Sequence, residues 1–238
     1  MSSLYVGTSG FSYTEWKPDF YPASMKSADF LEHYATLLTS VEINNTFYRS
    51  PTEALLKGWV DKTPEDFRFT LKAPQRITHR ARLRDVDEEL SFFLNVAKVL
   101  DTRLGMILFQ CPPNLRYEPE LLDAFLAALP GEPFRFAMEF RHVSWNTDEV
   151  REKLTGGGVA WCVAETEGEH PMVRTARGFV YLRLRKDEYT DEDLARWAKE
   201  VRSVLDDGAD VYAYFKHEDD ARAPAYARTL MTLCAPQI

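Results

Sequence analysis

Two carboxylates stand where a folded chain seldom leaves charge. Glu42 lies in the short apolar run Val41-Glu42-Ile43-Asn44, and Glu139 in Phe136-Ala137-Met138-Glu139-Phe140-Arg141-His142. Burying an unpaired charge is costly, so such carboxylates must meet cations, one another or a ligand. Cations sit in equivalent places: Lys72, Arg183 and Lys216 end other apolar runs, and Arg141 and Arg185 follow closely. Glu42 or Glu139 can serve as a general base, and with Lys72, which holds the anion beside them, they are the catalytic candidates. Arginine offers bidentate contacts to phosphate or carboxylate, so Arg141, Arg183 and Arg185, with Lys72 and Lys216, form an anion trap. Asn44, Tyr48, His142, Trp145, Tyr181 and Tyr214 lie in the same runs or just after them and complete the expected substrate contacts. The chemistry implied is hydrolytic or lyase-like proton transfer on an anionic small molecule or a phosphate-bearing substrate.

Other chemistries use the same residues. Paired glutamates suit glycoside hydrolysis, but neighbouring Arg and Lys lower carboxyl pKa values and disfavour a general acid. Glu42, Glu139, His142 and His217 can ligate one divalent ion, as in a metal-dependent sugar or phosphoester enzyme. No H-E-x-x-H or Asp/His cluster supports that, so a metal is open but not favoured and the cofactor stays unassigned. Lys72 or Lys216 can form a Schiff base if desolvated, although an ion-paired lysine is the commoner outcome. Cys111 would need a His or cation nearby to become reactive, and an inert packed thiol is favoured. A purely structural ion network, with Lys72, Arg183 and Lys216 neutralising Glu42 and Glu139, is the remaining reading.

Eight apolar stretches read as strands: residues 4–8, 41–44, 67–72, 104–110, 134–140, 159–164, 179–184 and 211–215. Helical periodicity lies between most of them, as in Phe30, Leu31, Tyr34 and Leu38, or Leu194, Trp197, Val201 and Val204. Ser50-Pro51-Thr52-Glu53 and Asn146-Thr147-Asp148-Glu149 look like helix starts, and Asp207-Gly208 like a stop. Residues 165–177 lack a helical pattern, so the sixth connection is expected to be irregular. Eight alternating units without a linker favour a single-domain (β/α)8 TIM-type barrel over residues 1–238. Gly7-Thr8-Ser9-Gly10 lacks the spacing of a dinucleotide fingerprint. Strand side chains alternate faces, so Glu42 and Asn44, Thr70 and Lys72, Glu139, Tyr181 and Arg183, and Tyr212, Tyr214 and Lys216 should point into the barrel. Their apolar neighbours should face the helices. Barrel active sites form at the C-terminal strand ends, and the polar set falls there.

The net charge of −8 argues against a general nucleic-acid coat or an anionic membrane partner. A local basic run, Lys72, Arg76, Arg80, Arg82 and Arg84 with His79, keeps a nucleotide or nucleic-acid binder as an alternative that is not favoured. Cys111, Cys162 and Cys234 match no zinc or redox spacing, which suits a reducing compartment. Without a signal segment or an apolar run of roughly 18–20 residues, the expectation is a soluble, cytoplasmic chain with no membrane partner. The oligomeric state is left unassigned.

The motifs also carry a family resemblance. Gly7-Thr8-Ser9-Gly10-Phe11-Ser12-Tyr13 with Trp16 and Phe20-Tyr21-Pro22 comes first, then Val41-Glu42-Ile43-Asn44 with Thr46-Phe47-Tyr48-Arg49 and Pro51. Phe69, Lys72 and Pro74, Ile77-Thr78-His79, Gln110 with Pro112-Pro113, Glu139-Phe140-Arg141-His142 with Ser144-Trp145, and Tyr181 with Arg183 follow in order. From about Tyr5 to Leu230 the chain resembles the YecE-like proteins, the domain of unknown function numbered 72. That resemblance implies a TIM-type barrel and carries no established reaction. Three positions depart from the commoner family pattern: Cys111 replaces a leucine, Arg185-Lys186 a His-Gly, and Lys216-His217 an Asn-Asn. The last two imply a more cationic pocket here.

Overall fold

The eight apolar runs become eight strands, all paired in parallel: β1 (Leu4–Thr8), β2 (Ser40–Ile43), β3 (Arg68–Lys72), β4 (Leu104–Gln110), β5 (Phe136–Glu139), β6 (Ala160–Glu165), β7 (Phe179–Leu184) and β8 (Asp210–Phe215). This computed structural model describes residues 2–165, 172–176 and 178–235. The strands form one sheet in the order β1-β8-β7-β6-β5-β4-β3-β2. Parallel neighbours need a crossover between them, and helices supply most of these. They are α1 (Phe30–Ala35), α2 (Glu53–Val60), α3 (Asp87–Ala97), α4 (Pro119–Ala128), α5 (Asp148–Gly157) and α6 (Asp191–Asp206); α7 (Arg222–Cys234) follows the last strand. Of the sixth connection, residues 172–176 are not helical, and the remainder of the expected irregular stretch, 166–171 and 177, lies outside the described residues.

The capping chemistry agrees with the sequence reading. Thr52 accepts from the Leu55 amide at the start of α2, and Thr147 from the Val150 amide at the start of α5. Thr190 and Asp193 form a reciprocal capping box on α6, whose buried stripe is Leu194, Trp197, Ala198, Val201 and Val204. Strand alternation then separates two apolar layers. Val41, Ile43, Phe69, Leu71, Phe136, Met138, Val180, Leu182, Val211 and Phe215 pack outward with the helices. Met106, Leu108, Ala137, Ala160, Cys162, Phe179, Tyr181, Tyr212 and Tyr214 pack together as the barrel filling.

The seam between β1 and β2 closes the barrel by a different device. Regular strand pairing gives way there to one bridge, Ser9 opposite Glu42, with the Gly10 amide donating to the Glu42 carbonyl at 2.8 Å. Below it the Tyr34 hydroxyl is wedged between the strands, accepting from the Thr8 amide and donating to the Ser40 carbonyl, each at 2.9 Å. This close approach requires Gly7. A Cβ there would lie 1.7 Å from the Ser40 carbonyl oxygen and 2.7 Å from the Tyr34 hydroxyl. The seam thereby carries Glu42 into the mouth on one side, and the Gln110–Glu139 register of β4 and β5 carries Glu139 in on the other.

Candidate functional site

Arg183 joins the two carboxylates. One terminal nitrogen donates to Glu42 Oε1 at 2.6 Å and the other to Glu139 Oε2 at 2.5 Å, and the arginine has no exposed surface. Glu42 further accepts from Ser9 (2.8 Å), Asn44 (3.1 Å) and the Tyr181 hydroxyl (2.5 Å). Glu139 accepts from the Gln110 amide at 2.8 Å. Burial alone would raise both carboxyl pKa values. The positive charges of Arg183 and Arg185 and the donated hydrogen bonds outweigh it, holding Glu42 at about 2 and lowering Glu139 as well. Both glutamates are therefore fixed anions at neutral pH. Burial raises the Tyr181 hydroxyl far above its usual range, and the Glu42 charge adds to that, so it stays a donor.

The cation of this triad is committed, which alters the part expected of Arg183. With its terminal nitrogens on carboxylates and no solvent contact, it cannot reach an anion at the mouth; it pins Glu42 and Glu139 instead. Lys72 sits above them, partly buried. Its ammonium donates to Gln110 Oε1 at 2.7 Å and lies 4.0 Å from the Phe47 ring centroid. Gln110 thus faces a lysine with its carbonyl and Glu139 with its amide. Among the described residues Lys72 has no carboxylate within ion-pair distance, because Arg183 occupies the two that are near. Burial and the Arg183 charge pull its pKa down to about 8, against the partial opposition of Glu42 and Glu139.

Several other expected contacts fall elsewhere. Tyr214 is fully buried deeper in the barrel, its hydroxyl within 2.6 Å of Ser40 Oγ and 2.7 Å of Thr70 Oγ1. Trp145 has no exposed surface: it stacks on Phe140 at 4.3 Å and donates its indole N–H to the Leu115 carbonyl, so it is core and not a stacking platform. Lys216 follows the last residue of β8, where the inward alternation has ended. It is exposed, with Glu218 at 3.7 Å as its nearest carboxylate, and does not join the cluster. Tyr48 is 75% exposed on the turn after β2. Asn44 is half-buried beside Glu42, and its carbonyl lies 3.4 Å from Arg183. Arg141 is exposed after β5, and His142 bonds Ser144 through Nδ1 at 2.9 Å. Both border a cleft of about 500 Å³ that reaches Cys162 and Ala164 on the inner face of β6.

Gln110 and His79 join the sequence-derived site, which already counts Arg185 in its anion trap. Gln110 shares the inward face of β4 with Met106 and Leu108, and alternation alone reveals it. Arg185 lies two residues beyond Arg183; its charge acts on Glu42, Glu139 and Lys72, and its Nε is buried without a hydrogen-bond partner among the described residues. His79 packs edge-on to Phe47 at 4.8 Å, and its pKa is lowered by burial and by the charges of Lys72 and Arg141. The basic run that contains it breaks up: Arg82 bonds Asn114 and Arg84 bonds Glu118, so these guanidiniums tie loops together. Cys111 is buried, and its thiol pKa is raised by burial and by Glu139. Among the described residues no group of three or more His, Cys, Asp or Glu side chains is arranged to hold a metal ion, and no helix is long and apolar enough to cross a membrane.

A family model described as "Protein of unknown function DUF72" matches residues 5–237. The chain belongs to the DUF72 family. It is 34% identical to the UPF0759 protein YecE of Escherichia coli strain K12 over 159 residues, and 30% identical to the UPF0759 protein YunF of Bacillus subtilis strain 168 over 150 residues. Those alignments cover 66% and 60% of this chain but 55% and 52% of the relatives, so the chain spans about half the length of the curated relatives it matches. A crystal structure of a DUF72 family protein from Thermotoga maritima superposes with a TM-score of 0.84 at 27% identity, covering 97% of this chain and 98% of that one. A second, from Enterococcus faecalis, gives 0.81 at 16% identity and supports the fold alone. The family expectation of a TIM-type barrel is met.

Proposed function

We propose that this DUF72 chain is an enzyme that binds an anionic small molecule at the C-terminal mouth of its barrel, with Lys72 as the group that exchanges a proton with it. The observation that carries the reading is the Lys72 environment. A partly buried amine stands beside two carboxylates locked onto Arg183, so its only hydrogen-bond partner among the described residues is the neutral Gln110 amide. An acid–base group works best with a pKa near the operating pH, and about 8 meets that condition where the low pKa of Glu42 does not. The proton-transfer part expected of Glu42 and Glu139 thus passes to Lys72, and the glutamates become its fixed electrostatic frame. Arg185, Arg141 and protonated Lys72 supply the positive field for a phosphate or carboxylate.

Thermal shift and calorimetric titration with inorganic phosphate, sulfate and small carboxylates test the reading. At least one anion should raise the melting temperature by several degrees. The gain should vanish in Lys72→Met and Arg185→Met, and binding should weaken as pH rises through about 8. No stabilising anion, or equal stabilisation of both variants, would overturn it. A turnover screen over compounds bearing the preferred anion, with Lys72→Met as the blank, should return an activity the variant lacks.

A further inference from the structure

Three lysines of this protein stand beside carboxylates. Lys153 pairs with Asp123, Lys186 with Asp193, and Lys216 lies near Glu218, at 2.5, 2.8 and 3.7 Å. Lys72 is the inward lysine at the end of β3, it contacts a neutral amide, and Arg183 and Arg185 add positive charge nearby. An amine that is desolvated and set beside other cations loses its proton readily and becomes a nucleophile. The Phe47 ring walls one side of it, and the His79 ring stands edge-on to that same phenyl. With its pKa lowered, His79 is a neutral imidazole at physiological pH; its Nδ1 is 2.8 Å from Thr78 Oγ1.

We propose that Lys72 condenses covalently with the carbonyl carbon of an anionic oxo compound, a 2-oxo acid or a phosphorylated aldehyde or ketone, while Arg185 receives the anionic group. The proposal rests on the anion-binding reading of the mouth and names its substrate class. In the step, the Lys72 Nζ lone pair attacks the carbonyl carbon to give a carbinolamine. Loss of the carbinolamine oxygen as water, carrying both amine hydrogens, leaves the C=N bond. The amine and carbonyl supply every atom, and no oxidant or reductant is consumed. His79 is the neighbouring group that can relay the proton to the departing oxygen. Gln110 holds Nζ toward the mouth through its carbonyl while its own amide is anchored on Glu139. On taking up a proton from solvent, the imine nitrogen becomes a cation that would stand above the Glu42–Glu139–Arg183 triad, whose formal charge is −1 (two carboxylates and one guanidinium).

Reductive trapping tests this directly. The full chain is incubated with pyruvate, dihydroxyacetone phosphate or uncharged acetone in the presence of cyanoborohydride, and each lysine is then quantified by peptide mass mapping. One of the two anionic carbonyls should label Lys72 at least tenfold more than any other lysine and at least tenfold more than acetone does. Lys72→Arg keeps the positive charge and should lose all trapping while still binding the reduced analogue, lactate or glycerol 3-phosphate, in calorimetry. If the analogue binds wild type and Lys72→Arg alike but no carbonyl is trapped at Lys72, the imine is refuted and the anion site stands. Labelling spread over surface lysines, or equal labelling by acetone, also refutes it. Absence of both trapping and analogue binding overturns the imine and the anion reading together.

Discussion

Glu42 and Glu165 are both fully buried glutamates near the C-terminal ends of parallel strands, and they are built into opposite sides of the wall. Glu165 points outward to the helices. Its oxygens accept from Arg196 at 2.9 Å, Tyr189 at 2.6 Å and the Trp197 indole at 3.0 Å, so β6 is clamped to α6 and to the turn before it. Its cation is 44% exposed and can fall back on water. Glu42 points inward and shares a fully buried cation with Glu139. One guanidinium serves two carboxylates, and its Nε has no partner, while Lys72 and Arg185 stand close by without carboxylates of their own among the described residues. The outer cluster ties β6 to one neighbouring helix and its approach, as a structural clamp should. The inner cluster shares one cation between two carboxylates, and it lies at the C-terminal end, where active sites of barrel enzymes form.

Breaking each cluster at its cation or anion should separate them. Arg183→Met leaves two like charges buried and uncompensated, at a cost of roughly 3–5 kcal/mol; urea unfolding measures it, and failure to fold would agree in direction. Glu165→Gln keeps acceptors for Tyr189 and Trp197 and frees a cation that water can solvate, so about 1–3 kcal/mol is expected. Anion-induced stabilisation should survive Glu165→Gln undiminished. If Glu165→Gln is the more damaging of the two, the ordering of the clusters is wrong.

Acid should act on the inner cluster in a defined window. The folded pKa of Glu42, about 2, lies below its ordinary 4.5, so its contribution is present above 4.5 and is lost as pH falls toward 2. That shift corresponds to about 3 kcal/mol, read as the fall in unfolding free energy across the window and absent from Glu42→Gln. Lys72 has the opposite sign. Its folded pKa is depressed from 10.5 to about 8, so its protonated form destabilises the fold at neutral pH and stability rises as pH climbs from 8 to 10.5. Lys72→Met should therefore raise the apo melting temperature modestly at pH 7, and the advantage should shrink above pH 8. A lysine kept for stability would behave in reverse.

What could be read from the chain, and what could not, follows the range of the interactions. The strands and their inward faces came from period-two alternation, a local signal, which is why Glu42, Lys72, Glu139 and Arg183 were assigned to one end of the barrel. The alternation also reached one residue too far, carrying Lys216 beyond the end of β8. Glu165 was assigned to an irregular connection because its partners lie 24 to 32 residues away on another element. Trp145 reads from the sequence as a substrate contact, and only packing against Phe140 and Leu115 makes it core. The decisive detail, that Arg183 takes both carboxylates and leaves Lys72 with an amide, depends on which of several inward cations reaches furthest down. No spacing rule encodes that.

The most direct test is the protonation of Lys72 itself, followed by NMR of lysine carrying 13C at Cε, with the resonance assigned through Lys72→Met. The account predicts that Lys72 titrates near pH 8, below its ordinary 10.5, in the absence of ligand and moves upward when inorganic phosphate is added. If Lys72 titrates at the ordinary lysine value of 10.5 and ignores phosphate, the mouth is a structural ion network and the account fails.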